Sequence, residues 1–202
     1  MRQAAGLVLV LLAAACWAAP AHALEDNDLS FTPQFGMAAF GGKAGVFAGP
    51  GLAYGLSVAY ATNSWLAVEA MAVYSDHVQR NGVATGSVNF THLAGGLGPR
   101  FNWNTKYIVP YISLLGGLAF VQYKANWTVG QYSHSANDRA HALGGMADAG
   151  LDFPLHDDFT IGISGFAGAL DGTLNYSNKS GANQALGVYG FFGGLIRLSL
   201  IF

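Results

Sequence analysis

The C-terminal eighteen residues, 185–202, constrain the fold of this chain more than any other segment. Successive side chains of a β-strand point to opposite faces, so strict alternation along a segment predicts two chemically different faces. One predicted face carries Val188, Phe192, Ile196, Leu198, Leu200 and Phe202, and the other carries Gly187, Gly193, Arg197 and Ser199. Soluble domains seldom leave such an apolar face uncovered, whereas a strand that closes a barrel in lipid requires one.

The same period of two runs through residues 51–60. The even positions are Leu52, Tyr54, Leu56, Val58 and Tyr60, while every odd position is Gly, Ala or Ser. Alternation of this length indicates a strand and argues against a membrane-spanning helix. Charged residues make up only 10% of the chain, against about 25% in ordinary soluble domains. The chain also has 28 glycines, and few charges with many glycines are typical of a membrane protein made of strands.

Applied along the whole chain, this test predicts an all-β fold, an eight-stranded antiparallel up-and-down transmembrane β-barrel. Short turns are expected at Asn63, 102–106 and 154–158, and longer polar connections at 41–50, 76–86, 125–138 and 171–184. An even number of strands places both ends of the barrel domain on the same side of the membrane. The predicted strands are 29–40, 51–61, 65–75, 87–101, 107–124, 139–153, 159–170 and 185–202.

The N-terminal segment has the features of a cleaved signal peptide. Arg2 precedes an uncharged apolar run over residues 4–19, and Ala21 and Ala23 are the small residues that a signal peptidase reads. We therefore expect residues 1–23 to be removed after Sec-type export, leaving 24–202 as the barrel domain. The run is shorter than the roughly 20 residues of a spanning helix, although an anchor and a lipoprotein signal at Cys16 remain alternatives.

Aromatic residues occur near both ends of the predicted strands. Amphipathic rings prefer the two membrane–water interfaces, so this distribution predicts two girdles. The girdle residues beside the short turns are Trp65, Trp103, Tyr107, Phe153 and Phe159, and those towards the long connections are Tyr74, Tyr123 and Trp127.

With its leader, its eight alternating segments and its terminal Leu198-Ser-Leu-Ile-Phe202, the chain resembles the small outer-membrane β-barrel superfamily of the OmpA transmembrane domain, OmpX and OmpW kind. The resemblance implies a monomer in the outer membrane of a Gram-negative bacterium, in contact with lipid and lipopolysaccharide, with short turns facing the periplasm. It also implies an assembly signal, Ile196, Leu198, Leu200 and Phe202, read by the barrel-assembly machinery. Members of this superfamily include anchors, adhesins, narrow channels and lipid-modifying enzymes, so the fold alone does not define a function.

Five charged residues fall on faces that are otherwise small. An eight-stranded barrel is only wide enough for side chains to fill it, so we expect these residues to meet inside a lumen otherwise lined mainly by small residues. Glu69, Asp148 and Arg197 are predicted to cluster at mid-height, with Arg100 and Asp152 nearer the short turns. Such charges either neutralise one another and hold the barrel rigid or line a gated pore.

Catalytic and metal-binding patterns are weak. Ser133, His134, Ser135 and Asp138 supply the residue types of a hydrolytic site, but in a predicted loop, and His77 follows Asp76 in another. The segment 175–178 resembles part of the lipid A deacylase motif without its preceding histidine. Residues His77, His134 and His141 match no tight metal-ligand spacing and are expected to be solvated.

We therefore expect a non-enzymatic protein without cofactor or metal. No basic tract suggests nucleic-acid binding. The expected role is structural or surface-exposed, in envelope integrity, adhesion or as an antigen. The alternatives are a narrow channel for small or hydrophobic solutes, a lipid A-modifying enzyme, and a soluble lipocalin-like barrel with its apolar face inward.

Overall fold

The structure is a computed structural model that describes residues 25–42, 48–79, 86–105, 107–129, 132–174 and 187–202, so the predicted leader lies outside it. Eight strands form a closed barrel in which each pairs antiparallel with its sequence neighbours and the last pairs with the first. No helix in these ranges is long and apolar enough to cross a membrane. The strands are β1 Leu29–Gly41, β2 Ala48–Asn63, β3 Leu66–Gln79, β4 Gly86–Asn102, β5 Val109–Val129, β6 Tyr132–His156, β7 Phe159–Leu174 and β8 Gly187–Ile201.

The seam between β1 and β8 closes the barrel, as the terminal alternation predicts. The Leu29 N–H donates to the Phe202 carbonyl over 3.1 Å, and the Phe202 N–H donates to the Leu29 carbonyl over 2.9 Å. From this pair the ladder continues to Gly41 opposite Gly190. Closure gives the backbone groups of both edge strands partners within the protein, which a hydrocarbon environment demands. We call the end that carries this pair the inner end and the opposite end the outer end.

Large apolar side chains face outward along all eight strands. On β2 the side chain of Leu56 is 40% exposed, whereas that of Ser57 beside it is 1% exposed. The same division holds on β8, where Ile196, Leu198 and Leu200 are exposed and Arg197 and Ser199 are buried. This arrangement contradicts the lipocalin-like alternative, because the apolar face is on the outside.

The expectation of a mostly small and ionised interior holds only for the inner half of the lumen. Large side chains fill the outer half, and glycines on neighbouring strands make room for them. A Cβ on Gly168 would collide with the ring of Phe191, and one on Gly193 would collide with the ring of Phe166. The buried large residues include Phe40, Met71, Phe90, Leu115, Met146, Phe166, Tyr189 and Phe191.

All strands except β8 extend further at the outer end than the sequence suggests. The predicted connection 125–138 is almost entirely strand, because β5 has 21 residues and β6 has 25, and only 130–131 separates them. The ladder runs up to Val129 opposite Tyr132. The other outer connections narrow to 42–47, 80–85 and 175–186. The prediction failed here because the segment is rich in Asn, Ser and Gly, which are also the residues that mark loops.

The inner turns lie where the sequence predicts them. At the β2–β3 turn the Asn63 side-chain oxygen accepts hydrogen bonds from the N–H groups of Trp65, at 3.1 Å, and Leu66, at 2.9 Å. An asparagine side chain that replaces a backbone acceptor stabilises a tight turn. The other two inner connections span 103–108 and 157–158.

Two adjacent glycines of β5 provide a test of the inward and outward faces. A Cβ on Gly117 would collide with the backbone of Gly95 and Gly96, whereas one on Gly116 would meet nothing within 4 Å. We expect Gly117→Val to reduce the yield of folded barrel at least several-fold and Gly116→Val to leave it unchanged. Heat-modifiable mobility on gels of refolded protein measures this yield, and equal yields for the two variants would contradict the assigned faces.

Candidate functional site in the barrel lumen

Arg197 of β8 lies at the centre of the inner half of the lumen, with none of its side chain exposed. Its Nη1 atom lies 2.9 Å from Asp148 Oδ2, and its Nε atom lies 3.5 Å from Asp152 Oδ1. Its Nη2 atom lies 3.8 Å from Glu69 Oε1. One guanidinium therefore links carboxylates of β3 and β6 across the barrel.

Arg100 of β4 completes the group that we call the ion-pair layer, made of Glu69, Arg100, Asp148, Asp152 and Arg197. Its Nη2 atom lies 2.7 Å from Asp152 Oδ2, and its Nη1 atom lies 3.7 Å from Glu69 Oε1. Its Nε–H donates to Asn102 Oδ1 over 2.8 Å. Arg100 pairs with Ala67, two residues nearer the inner turn than Glu69. The structure thus brings together all five charged residues that the sequence analysis selected.

Tyr111 of β5 joins this layer, and the sequence analysis missed it. Its hydroxyl donates to Asp148 Oδ2 over 2.7 Å and accepts a hydrogen bond from Arg197 Nη1. The guanidinium carbons of Arg100 and Arg197 lie 3.9 Å and 4.4 Å from the centre of its ring. Such cation–π contacts stabilise desolvated cations. The sequence did contain a signal for this residue. Tyr111 lies two residues before Ser113, so both side chains fall on the inward face of β5.

The ion-pair layer contains three carboxylates and only two guanidiniums. Hydroxyl donors compensate in part, because Tyr111 donates to Asp148 and the Ser113 hydroxyl donates to Glu69 Oε2. Burying a charge is costly unless it is paired and hydrogen-bonded. The layer therefore depends on the hydroxyl donors as well as on the arginines, and it joins strands β3, β4, β5, β6 and β8.

A second group, the aromatic layer, fills the lumen towards the outer end. It consists of Phe40, His77, Phe90, His92, Tyr189 and Phe191, all buried. The ring of Phe40 is central, with centroid distances of 4.5 Å to His77, 4.8 Å to Phe90 and 5.1 Å to His92. His92 also lies 4.8 Å from Phe191. Edge and tilted contacts of this kind are favourable for aromatic rings.

The two histidines of the aromatic layer are held by hydrogen bonds. Nδ1 of His77 lies 2.8 Å from the Gly49 carbonyl, which can only accept, so this nitrogen carries a proton. Nε2 of His77 lies 2.8 Å from the Ser75 hydroxyl, and Nε2 of His92 lies 3.2 Å from the Tyr189 hydroxyl. The prediction of a solvated loop position for His77 is wrong, because β3 continues to Gln79 and turns this side chain inward. The sequence analysis did not identify His92.

The weak catalytic and metal-binding patterns gain no support. Asp76 faces outward and His77 inward on adjacent positions of β3, so they form no dyad. His134 and its neighbours 133, 135 and 138 belong to β6 rather than to a loop, but their side chains lie outside the description, as does the segment 175–178. Among the described residues, no group of three or more His, Cys, Asp or Glu side chains could hold a metal ion.

The predicted girdle and assembly residues that the structure describes face outward. Trp65 is exposed near the β2–β3 turn and stacks on Phe101 at a centroid distance of 6.2 Å. Tyr74 is exposed near the outer end of β3. The side chains of Tyr123 and Trp127 lie outside the description. Also exposed are Trp103 and Tyr107, with Phe153 and Phe159 half-exposed, and the terminal residues Ile196, Leu198, Leu200 and Phe202.

The family model of the outer membrane protein β-barrel domain matches residues 7–165, most of the chain. The chain belongs to this family. The family and the closed eight-stranded fold place the barrel in the outer membrane of a Gram-negative bacterium and confirm the resemblance stated from the sequence. No curated protein matches the chain.

Solved structures of three small barrels share the fold. OprG from Pseudomonas aeruginosa has 13% identity and a TM-score of 0.60, covering 92% of this chain and 99% of its own. Ail of Yersinia pestis, solved with the heparin analogue sucrose octasulfate, has 17% identity and a TM-score of 0.56, covering 88% and 99%. Neisserial surface protein A has 10% identity and a TM-score of 0.53, covering 85% and 96%. At these identities the similarity shows the fold alone.

The ion-pair layer generates a stability prediction. Arg197→Met leaves buried carboxylates without their central partner, and breaking a buried pair in this way costs about 3–5 kcal/mol. We expect the free energy of unfolding to fall by this amount, and Arg197→Met with Asp148→Asn to recover part of the loss. Urea unfolding in lipid vesicles measures both. If the double variant lost as much stability as the two single variants summed, the contact would carry no coupling energy.

Proposed function

We propose that this barrel is a closed, non-enzymatic outer-membrane protein whose function is carried by its outer surface, with a role in envelope integrity. The observation that supports this proposal is that the ion-pair layer and the aromatic layer both occupy the described part of the lumen. The proposal includes cleavage of the leader after Ala23, Sec-type export, a monomeric state and recognition of the terminal alternating residues by the barrel-assembly machinery.

In the part of the lumen that the structure describes, the ion-pair layer and the aromatic layer lie one above the other, which argues against a channel. Arg197, Glu69 and Asp148 are each completely buried, and each contacts another strand through an ion pair. A solute would have to separate these pairs and then displace the aromatic layer around Phe40. The inner cavity beside Arg100 and Asp152 has a volume of about 20 Å³, enough for roughly one water molecule. These features favour a rigid plug.

The outer hairpin supports the proposed surface role. A spanning strand needs about 9–11 residues, and β5 and β6 are about twice that length. The excess lies at the outer end, where residues 125–129 pair with 132–136. A paired hairpin presents its residues in a defined arrangement, unlike a long loop. The residues that contact other envelope or host components are therefore expected on this hairpin.

Conductance separates the proposal from the channel alternative. In planar bilayers we expect the native chain to show no discrete openings, and Arg197→Ala alone to show none, because the aromatic layer still closes the outer half. Combining Arg197→Ala with Phe40→Ala and Phe191→Ala removes parts of both layers and should permit openings. Steady, discrete openings of the native protein would refute the closed barrel and establish the channel.

The envelope role is tested by deleting the gene and by shortening the hairpin. We expect deletion to increase uptake of a hydrophobic fluorescent probe across the outer membrane. The native chain should restore the barrier, and a chain in which residues 125–136 are replaced by a two-residue turn should not, despite normal heat-modifiable folding. A deletion strain with an unchanged barrier would contradict this role.

A further inference from the structure

Three basic side chains form a patch on the outward face of β5 and β6, near the outer end. This basic patch consists of Lys124, Arg139 and His141, all exposed. Lys124 pairs with Asn137, and Arg139 pairs with Gln122, so Lys124 and Arg139 are diagonal neighbours across the two strands. Diagonal Cα atoms lie about 7–8 Å apart, so both long side chains can reach one anion between them.

The patch borders a cavity on the same wall. The cavity has a volume of about 290 Å³ and is lined by polar and apolar groups of four adjacent strands. The ring of His141 packs edge-on against Phe120, at a centroid distance of 5.0 Å. The exposed side chains of Leu93, Leu118 and Leu143 continue the wall towards the inner end. The lining includes Tyr74, Thr91, Leu93, Phe120, Arg139 and His141.

Among the described residues, two exposed carboxylates lie on the strands that flank this wall, β3 and β7. Asp76 pairs with Thr91 on the β3 side, and Asp171 pairs with Leu143 on the β7 side. Neither lines the cavity. The residues that line the cavity thus include Arg139 and no carboxylate, which favours a ligand with negative charge.

A groove lies below the patch on β5, β6 and β7. Its volume is about 650 Å³, and its lining includes Gly116, Gly145, Ala147, Ala167 and Ala169. The barrel does not need glycine at two of these positions, because a Cβ on Gly116 would meet nothing within 4 Å and one on Gly145 would lie 3.6 Å from the Leu115 carbonyl oxygen. Glycine inside a strand lowers stability. The missing side chains instead leave room outside the wall.

We propose that this wall binds one phosphorylated lipid of the outer leaflet, with its phosphate between Lys124 and Arg139 and an acyl chain in the groove. The inference rests on the proposed orientation, in which the outer end faces the cell exterior. Gly145 lies six residues from Arg139, about 20 Å along the strand. With a strand tilt of roughly 40°, this is about 15 Å of depth, or one leaflet of a hydrocarbon core about 30 Å thick.

The position of the patch favours a lipid over a soluble anion. Lysine and arginine on a lipid-facing wall are costly near the membrane centre and are tolerated near the interface. Arginine and lysine form charge-assisted hydrogen bonds with phosphate oxygens, which are stronger than neutral ones. A phosphorylated lipid carries its phosphate at headgroup depth, where the basic patch lies, and its acyl chains at the depth of the groove. One molecule can therefore occupy both sites.

Native mass spectrometry of the full barrel in detergent, titrated with bis-phosphorylated lipid A, tests the phosphate site. We expect Lys124→Gln with Arg139→Gln to weaken binding at least tenfold. Lys106→Gln, which removes a positive charge that is not part of the patch, should leave binding unchanged. Dephosphorylated lipid A should bind the native chain as weakly as the double variant, and inorganic phosphate should not compete. Equal binding by the native chain and the double variant would overturn the proposal.

The groove is tested separately with Gly145→Leu, which fills it from a position where a side chain fits. We expect several-fold weaker lipid A binding with unchanged heat-modifiable folding, and an unchanged monomer signal in the same spectra. If the native barrel appeared as a dimer that this variant dissociated, the groove would belong to a second copy and the lipid proposal would fail. Neither readout depends on conductance or on the barrier assay, so this inference can fail while the proposed function stands.

Discussion

The structure depends on one ladder of backbone hydrogen bonds that runs around the barrel and closes between Leu29 and Phe202. In hydrocarbon an unpaired N–H or carbonyl has no water to replace its partner, so an open sheet edge is excluded. Closure fixes the register of β1 against β8, and the period of two then assigns each neighbouring side chain to the lipid or to the lumen. A slip of one residue would turn Arg197 outward and Ile196 inward, exchanging every contact of the final strand.

Closure with only eight strands also limits how side chains can pack in the interior. The cylinder is just wide enough for side chains, so every inward residue must fit those of the other strands. The two halves meet this condition differently. In the inner half, Arg197 and Arg100 neutralise carboxylates with the help of Tyr111. In the outer half, large rings lie opposite glycines, as Phe191 does with Gly168 and Phe166 with Gly193. Both kinds of packing hold the barrel rigid, and each connects strands that are distant in sequence.

The sequence predicted the structure correctly wherever the pattern lay within a single strand. Alternation alone predicted eight strands, the closing role of residues 185–202 and the inward direction of all five charged residues. The sequence-based predictions failed where the structure depends on the pairing of two strands. The outer hairpin of β5 and β6 is rich in Asn, Ser and Gly, so only the pairing of the two strands, as at Ala125 opposite Ala136, distinguishes it from a loop. His77 appeared to be a loop residue for the same reason. His92 and Tyr111 acquire their partners from strands that no local pattern connects to them.

The packing of the barrel explains its inward glycines but not its outward ones. Inward glycines such as Gly117 and Gly168 are required, because any side chain there would collide with a neighbour. Outward glycines such as Gly116 and Gly145 have room for a side chain and still lack one. Packing inside the lumen cannot explain these outward glycines, because they do not face the lumen. Outward glycines with similar room occur elsewhere, as at Gly165, so Gly116 and Gly145 gain significance only from the basic patch one leaflet above them. A lipid held against β5 and β6, as proposed, would also stabilise the hairpin that these strands form at the outer end.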